Sequence, residues 1–259
     1  MGAGSGGHRF SLVRAGATTT LERRHVTRAL VVLLAVALLA ARAAPGATHP
    51  PPRTELLGRS WQGRPIRVIE VGARRGTRVL VVGCVHGNEP AGIAVARALE
   101  LLSPRDLDLW VLPDLNPDGV AAGTRANAHG VDLNRNFPFR WRYRTGVYAS
   151  GPRPLSEREA RIAHRLLVHL HPKVTIWLHQ HLDLVWASGG NRRVEKVFAQ
   201  VSGLPYHPLP ALGGSAIDWQ NHALPGTTAF AAELPVGAAT AGEVARYVRA
   251  VLAAGRAAA

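Results

Sequence analysis

The chain has 259 residues, with 31 Lys plus Arg against 17 Asp plus Glu, a formal charge of +14, and 47% apolar residues. That apolar content excludes a disordered chain, and a single cysteine, Cys84, excludes a disulfide scaffold. Nearly all the basic residues are arginines, Lys173 and Lys196 being the only lysines, and they are scattered rather than gathered into a stripe. This speaks against nucleic acid as a partner and for a solvated basic surface or contact with an anionic envelope.

Residues 1–47 read as an export leader. Arg23, Arg24 and Arg28 precede thirteen apolar residues at 29–41, and Ala41-Arg42-Ala43 offers an A-x-A cleavage site. A helix of that length spans about 20 Å, short of the roughly 30 Å hydrocarbon core, so contact with a membrane is expected only through an uncleaved leader. The rest, residues 48–259, is expected to be one domain that is secreted or held in the cell envelope.

Strands are expected at 66–71 and 78–85, then a helix opened by Pro90 and running to about 101, and a strand at 108–112. Ser156 and Glu159 have capping-box spacing for a helix reaching about 169. Strands at 174–178 and 183–187, a helix at 192–201, a strand at 227–234 and a closing helix at 242–258 follow. This alternation predicts an α/β fold, a single-domain mixed β-sheet sandwiched between α-helices. Residues 116–155 show little periodicity, and a loop that long in a compact domain usually carries function.

Four pieces carry candidate chemistry. His86-Gly87-Asn88-Glu89 follows an apolar strand and can turn an imidazole and a carboxylate toward one point, as zinc requires. The long loop holds Asn116-Pro117-Asp118-Gly119, Arg125 and the run from Gly130 to Pro138, GVDLNRNFP, whose arginines offer donor forks suited to carboxylates and oxyanions. His179 and His181 end a buried strand and share a face by alternation, so either can point into a cleft at the sheet edge. Glu233, in Ala-Glu-Leu-Pro, is a carboxylate at the end of an apolar strand and needs a partner or a task there.

In this order the pieces resemble the zinc carboxypeptidases, and most closely the bacterial murein peptide amidase branch, from about Gly58 to the C-terminus. The resemblance implies one Zn2+ per chain held by His86, Glu89 and His179. It implies Glu233 as general base, Arg125 on the oxyanion, and Asn134 and Arg135 on a substrate carboxylate. Asp132 would hold the His86 imidazole in its tautomer. The implied activity of the 48–259 domain is hydrolysis of an amide bond next to a free carboxylate, in peptidoglycan-derived peptides of the γ-D-glutamyl–diaminopimelate type. The desuccinylase and aspartoacylase relatives share the His-Gly-Asn-Glu element, which makes an N-acyl amino acid amidohydrolase the alternative. Tyr206, His207 and Trp219 fall where such enzymes place specificity residues, and the stretch from Gly213 to Trp219 lacks the tyrosine many digestive members carry. Cys84 reads as a small core residue.

Overall fold

Four of the predicted apolar runs become adjacent parallel strands at the centre of a single sheet. The computed structural model describes Met1 and residues 50–259; the rest of the expected leader lies outside the described residues. In chain order the strands are β1 (Arg53–Arg59), β2 (Pro65–Gly72), β3 (Thr77–Val82), β4 (Leu107–Leu112), β5 (Val174–Gln180), β6 (Leu184–Ala187), β7 (Tyr206–Pro208) and β8 (Thr228–Leu234). The helices are α1 (Ala91–Glu100), α2 (Pro117–Ala122), α3 (Arg158–Leu170), α4 (Arg192–Ser202), α5 (Ala216–Ala223) and α6 (Ala241–Ala257). The strand order is β1-β2-β4-β3-β5-β8-β6-β7. The run β4-β3-β5-β8 is parallel, while β2 and β6 flank it antiparallel.

Strand alternation divides the core between the two faces. Val79 and Val81 of β3 pack with residues of α1, α4 and α6 on one side. Leu80 and Val82 pack with residues of α3, α5 and Phe137 on the other. Because helices cover both faces, β4, β5 and β8 are buried at every position and show no polar alternation. Each fully buried aliphatic side chain contributes about 1.5–3 kcal/mol, and this double layer is the rigid floor on which the loops stand. No helix among the described residues is long and apolar enough to cross a membrane.

Two expectations are corrected. The strand expected at 78–85 ends at Val82, where Gly83 lies so near the chain that a Cβ there would meet the Pro113 carbonyl oxygen at 2.5 Å. The capping box at Ser156 does not form. Ser156 Oγ donates to Glu157 Oε1, and Glu159 turns away to accept from the Trp61 amide and Asn127, so α3 starts without a side-chain cap.

Candidate active site

The central parallel strands deliver the candidate residues to one place, at their carboxyl ends. His86 and Glu89 lie in the loop between β3 and α1, His179 is the penultimate residue of β5, and Glu233 of β8 stands directly opposite His179 in the register. These four side chains line one cleft of about 650 Å³ together with Arg125, Asn134 and Arg135. Asp132 lies completely buried behind it.

The loop that bears His86 is held by backbone crowding. A Cβ on Gly87 would fall 1.9 Å from the Gly119 carbonyl carbon, so only glycine lets the two motif loops touch. The Asn-Pro-Asp-Gly motif works on the same contact. Asn116 Oδ1 caps α2 by accepting from the Gly119 amide at 3.0 Å, while its Nδ2 donates to the Val85 carbonyl at 3.2 Å. Asp118 accepts from Ser60, Gln62 and Arg64, tying α2 to the β1–β2 turn. The motif is therefore a clamp on the fold, and its side chains stay out of the cleft.

Inside the cleft three donor atoms converge. His86 Nδ1 lies 3.0 Å from Glu89 Oε1, His179 Nδ1 lies 3.0 Å from Glu89 Oε2, and the two Nδ1 atoms are 3.2 Å apart. Tetrahedral bonds of 2.0–2.1 Å place ligand atoms about 3.3 Å apart, so this donor set fits zinc in both chemistry and spacing. His86 Nε2 meets Asp132 Oδ1 at 3.0 Å. A carboxylate only accepts, so Nε2 carries the proton and Nδ1 keeps its lone pair for the cluster. His181 follows a cis peptide at the end of β5, is exposed, and stays outside the cluster, although it lines the cleft. Strand alternation, which had left His179 and His181 equivalent, stops at Gln180.

The charges form a closed circuit. Arg125 Nε donates to Asp132 Oδ2 at 3.0 Å and its Nη1 to Glu89 Oε1 at 2.9 Å. Burial alone would raise Glu89 and Asp132. The contacts with His179 and His86 hold Glu89 well below the usual carboxylate range, and those with His86 and Arg125 do the same for Asp132. Burial would lower His86, but its bonds to Asp132 and Glu89 outweigh this and raise it. Gln180 closes the back of the site. Its amide donates to Glu89 Oε2, its Oε1 accepts from the start of α1, and its Nε2 donates to the Pro235 and Gly237 carbonyls. Glu233 differs from all of these, because its Oε2 is buried with no hydrogen-bond partner among the described residues.

Residues 46–197 match the zinc carboxypeptidase family. The chain belongs to that family. Murein peptide amidase A of Escherichia coli K12 is 35% identical over 150 residues, which is 52% of this chain and 62% of that protein. The match to this curated relative thus spans less than two thirds of its length. The crystal structure of murein-tripeptide amidase from Escherichia coli O157 superposes with a TM-score of 0.62 at 27% identity, over 83% of this chain and 95% of that one. Carboxypeptidase A from Helicoverpa armigera shares the fold, with a TM-score of 0.68 at 16% identity over 90% and 81% of the two chains.

Within this zinc carboxypeptidase fold the residues expected to set specificity stand elsewhere. Tyr206 donates from its hydroxyl to Glu195, and Trp219 packs on Phe137 and His164 in the core. Ile217, Asp218 and Leu212 line the cleft instead. Asp218 is saturated by Ser188, Ser215 and the Leu212 amide. Cys84 is buried, and burial, followed by the fields of Asp114 and Glu89, pushes its thiol up. Sequence reasoning missed Arg144 and Tyr148, which line the cleft from the long loop. Their only signal was the arginine- and aromatic-rich composition of that loop.

Proposed function

We propose that this chain is an exported zinc-dependent peptidase that hydrolyses an amide bond next to a free carboxylate in cell-wall peptides, of the γ-D-glutamyl–diaminopimelate type. The observation that carries the reading is the buried His86–Glu89–His179 donor set sharing its cleft with a carboxylate oxygen of Glu233 that no other described group hydrogen-bonds. The murein peptide amidase relatives supply the substrate class, and the apolar stretch in residues 1–47 supplies the export.

In this reading His86, Glu89 and His179 hold zinc, which when bound supplies Lewis acidity toward the scissile carbonyl and toward water. Glu233 takes the proton from the attacking water at its unpaired Oε2 and returns it to the leaving amine. Arg125, fixed by Asp132 and Glu89, donates to the oxyanion as it develops. Asn134 and Arg135 hold the free carboxylate, Arg135 through its planar fork. Asn134 is itself fixed, since its Oδ1 accepts from the Ala216 amide at 3.0 Å and its backbone N–H donates to Asp132. The 48–259 segment is the catalytic domain, and the product leaves in the cell envelope or outside it.

The test incubates the full chain, loaded with zinc, with L-Ala-γ-D-Glu-diaminopimelate and follows release by mass spectrometry. The wild type is expected to release diaminopimelate. Glu233→Gln should keep its zinc yet lose at least the roughly 10²–10⁴-fold that general acid–base catalysis supplies. No release by wild-type protein carrying one zinc per chain would overturn the substrate assignment, and full turnover by Glu233→Gln would overturn the role of Glu233.

A further inference from the structure

A second cation stands beside Arg135 at the mouth of the cleft. Arg135 is 8% exposed, donates to the Asn134 carbonyl at 2.7 Å, and has its guanidinium 5.3 Å from the centre of the Tyr148 ring. The Arg125 guanidinium lies at the same distance from that ring. Arg144 is exposed and lines the cleft alongside them. Its field reaches Arg135: burial and the charges of Arg125 and Arg144 together lower Arg135, against the pull of Asp132.

The three arginines are not equally committed. Arg125 is bound to two carboxylates of the site. Among the described residues Arg135 and Arg144 make no ion pair. Nor does the local chain supply an anion, because residues 133–156 hold Arg135, Arg140, Arg142, Arg144 and Arg153 and no Asp or Glu. Two neighbouring cations in a concave site repel one another and concentrate the field on whatever anion enters. One carboxylate taken by the fork of Arg135 leaves Arg144 uncompensated.

We propose that Arg144 is a specificity-determining residue that pairs with a second carboxylate of the substrate, so that the cleft prefers a peptide carrying that carboxylate over one that lacks it. The inference rests on the peptidase reading above, in which Arg135 takes the first carboxylate. The second has two sources in such a peptide: the α-carboxylate of the γ-linked glutamate, or the far carboxylate of diaminopimelate.

Calorimetric titration of the zinc-loaded full chain bearing Glu233→Gln separates these cases without turnover. Three peptides are compared: L-Ala-γ-D-Glu-diaminopimelate, its isoglutamine form, and its form with lysine in place of diaminopimelate. The parent is expected to bind about tenfold tighter than one of the other two, and the weaker peptide identifies the source. Adding Arg144→Gln should abolish that advantage while leaving the weaker peptide within about twofold of its former affinity. An Arg144→Gln protein that keeps the parent's advantage, or that loses affinity equally for all three, overturns this inference and leaves the peptidase reading intact. Failure of all three to bind a folded, zinc-loaded protein overturns both.

Discussion

On the floor of the cleft Asp132 accepts from three donors at once, the His86 imidazole, the Arg125 guanidinium and the Asn134 amide, and is wholly buried. At the rim, a dozen or so residues further along the same loop, Val147 and Tyr148 are 68% and 51% exposed and Arg144 has no ionic partner among the described residues. The floor is over-determined: Glu233 apart, its polar groups are fixed by one another before any ligand arrives, which holds the donor set in place. The rim is under-determined, and its cations have their counter-charge still to find. Preorganisation belongs where charge develops in the reaction, whereas a solvated rim selects among substrates.

The sharpest way to break the floor is to remove a donor atom. His179→Ala should abolish stoichiometric zinc, whereas His181→Ala should retain it, because His181 lies outside the cluster. Metal content after dialysis decides between them, and the reverse pattern would move the ligand to His181. Next comes a partner one bond away. Asp132→Asn should weaken zinc by roughly 10–100-fold, since it removes the anion that orients His86. The same change frees Arg125 Nε from its carboxylate and should lower stability by about 1–3 kcal/mol. A zinc titration and a denaturation midpoint check the two effects separately. At the rim, Arg144→Gln should change neither metal content nor stability and should act on substrate choice alone.

How much of this was legible in the chain follows from which interactions are local. The strands β3, β5 and β8 are readable because burial on both faces demands continuous apolar runs. His86, His179 and Glu233 are readable because each interrupts or ends such a run. β1 left no trace, since its residues are mostly exposed and show no apolar alternation. The capping reading at Ser156 failed because Glu159 is claimed by Trp61, nearly a hundred residues earlier. Arg144 and Tyr148 share the same obstacle. Their meaning depends on the path of a loop held by long-range bonds, such as those from Asn136 to the Ser150 and Arg153 carbonyls.

The smallest expected effect lies just behind the floor, at Asp114. Burial raises its carboxyl to about 6, against the Asn116 amide and the field of Arg97, which lower it, while Asp118 adds to the rise. A carboxyl raised on folding binds its proton more tightly in the native state than in the unfolded one. The contribution of Asp114 to stability therefore falls as pH climbs from about 4 to 6 and is flat above that. Asp114→Asn keeps an oxygen to accept from the Asn116 amide and removes the charge that burial opposes. It should stabilise the protein by about 1–2 kcal/mol above pH 6, a value discounted for the partial exposure of the site, and by nothing below pH 4. Denaturation midpoints at pH 4 and pH 8 test this. A gain of equal size at both would mean that the benefit comes from packing, and that burial of the Asp114 charge carries no cost in the native protein.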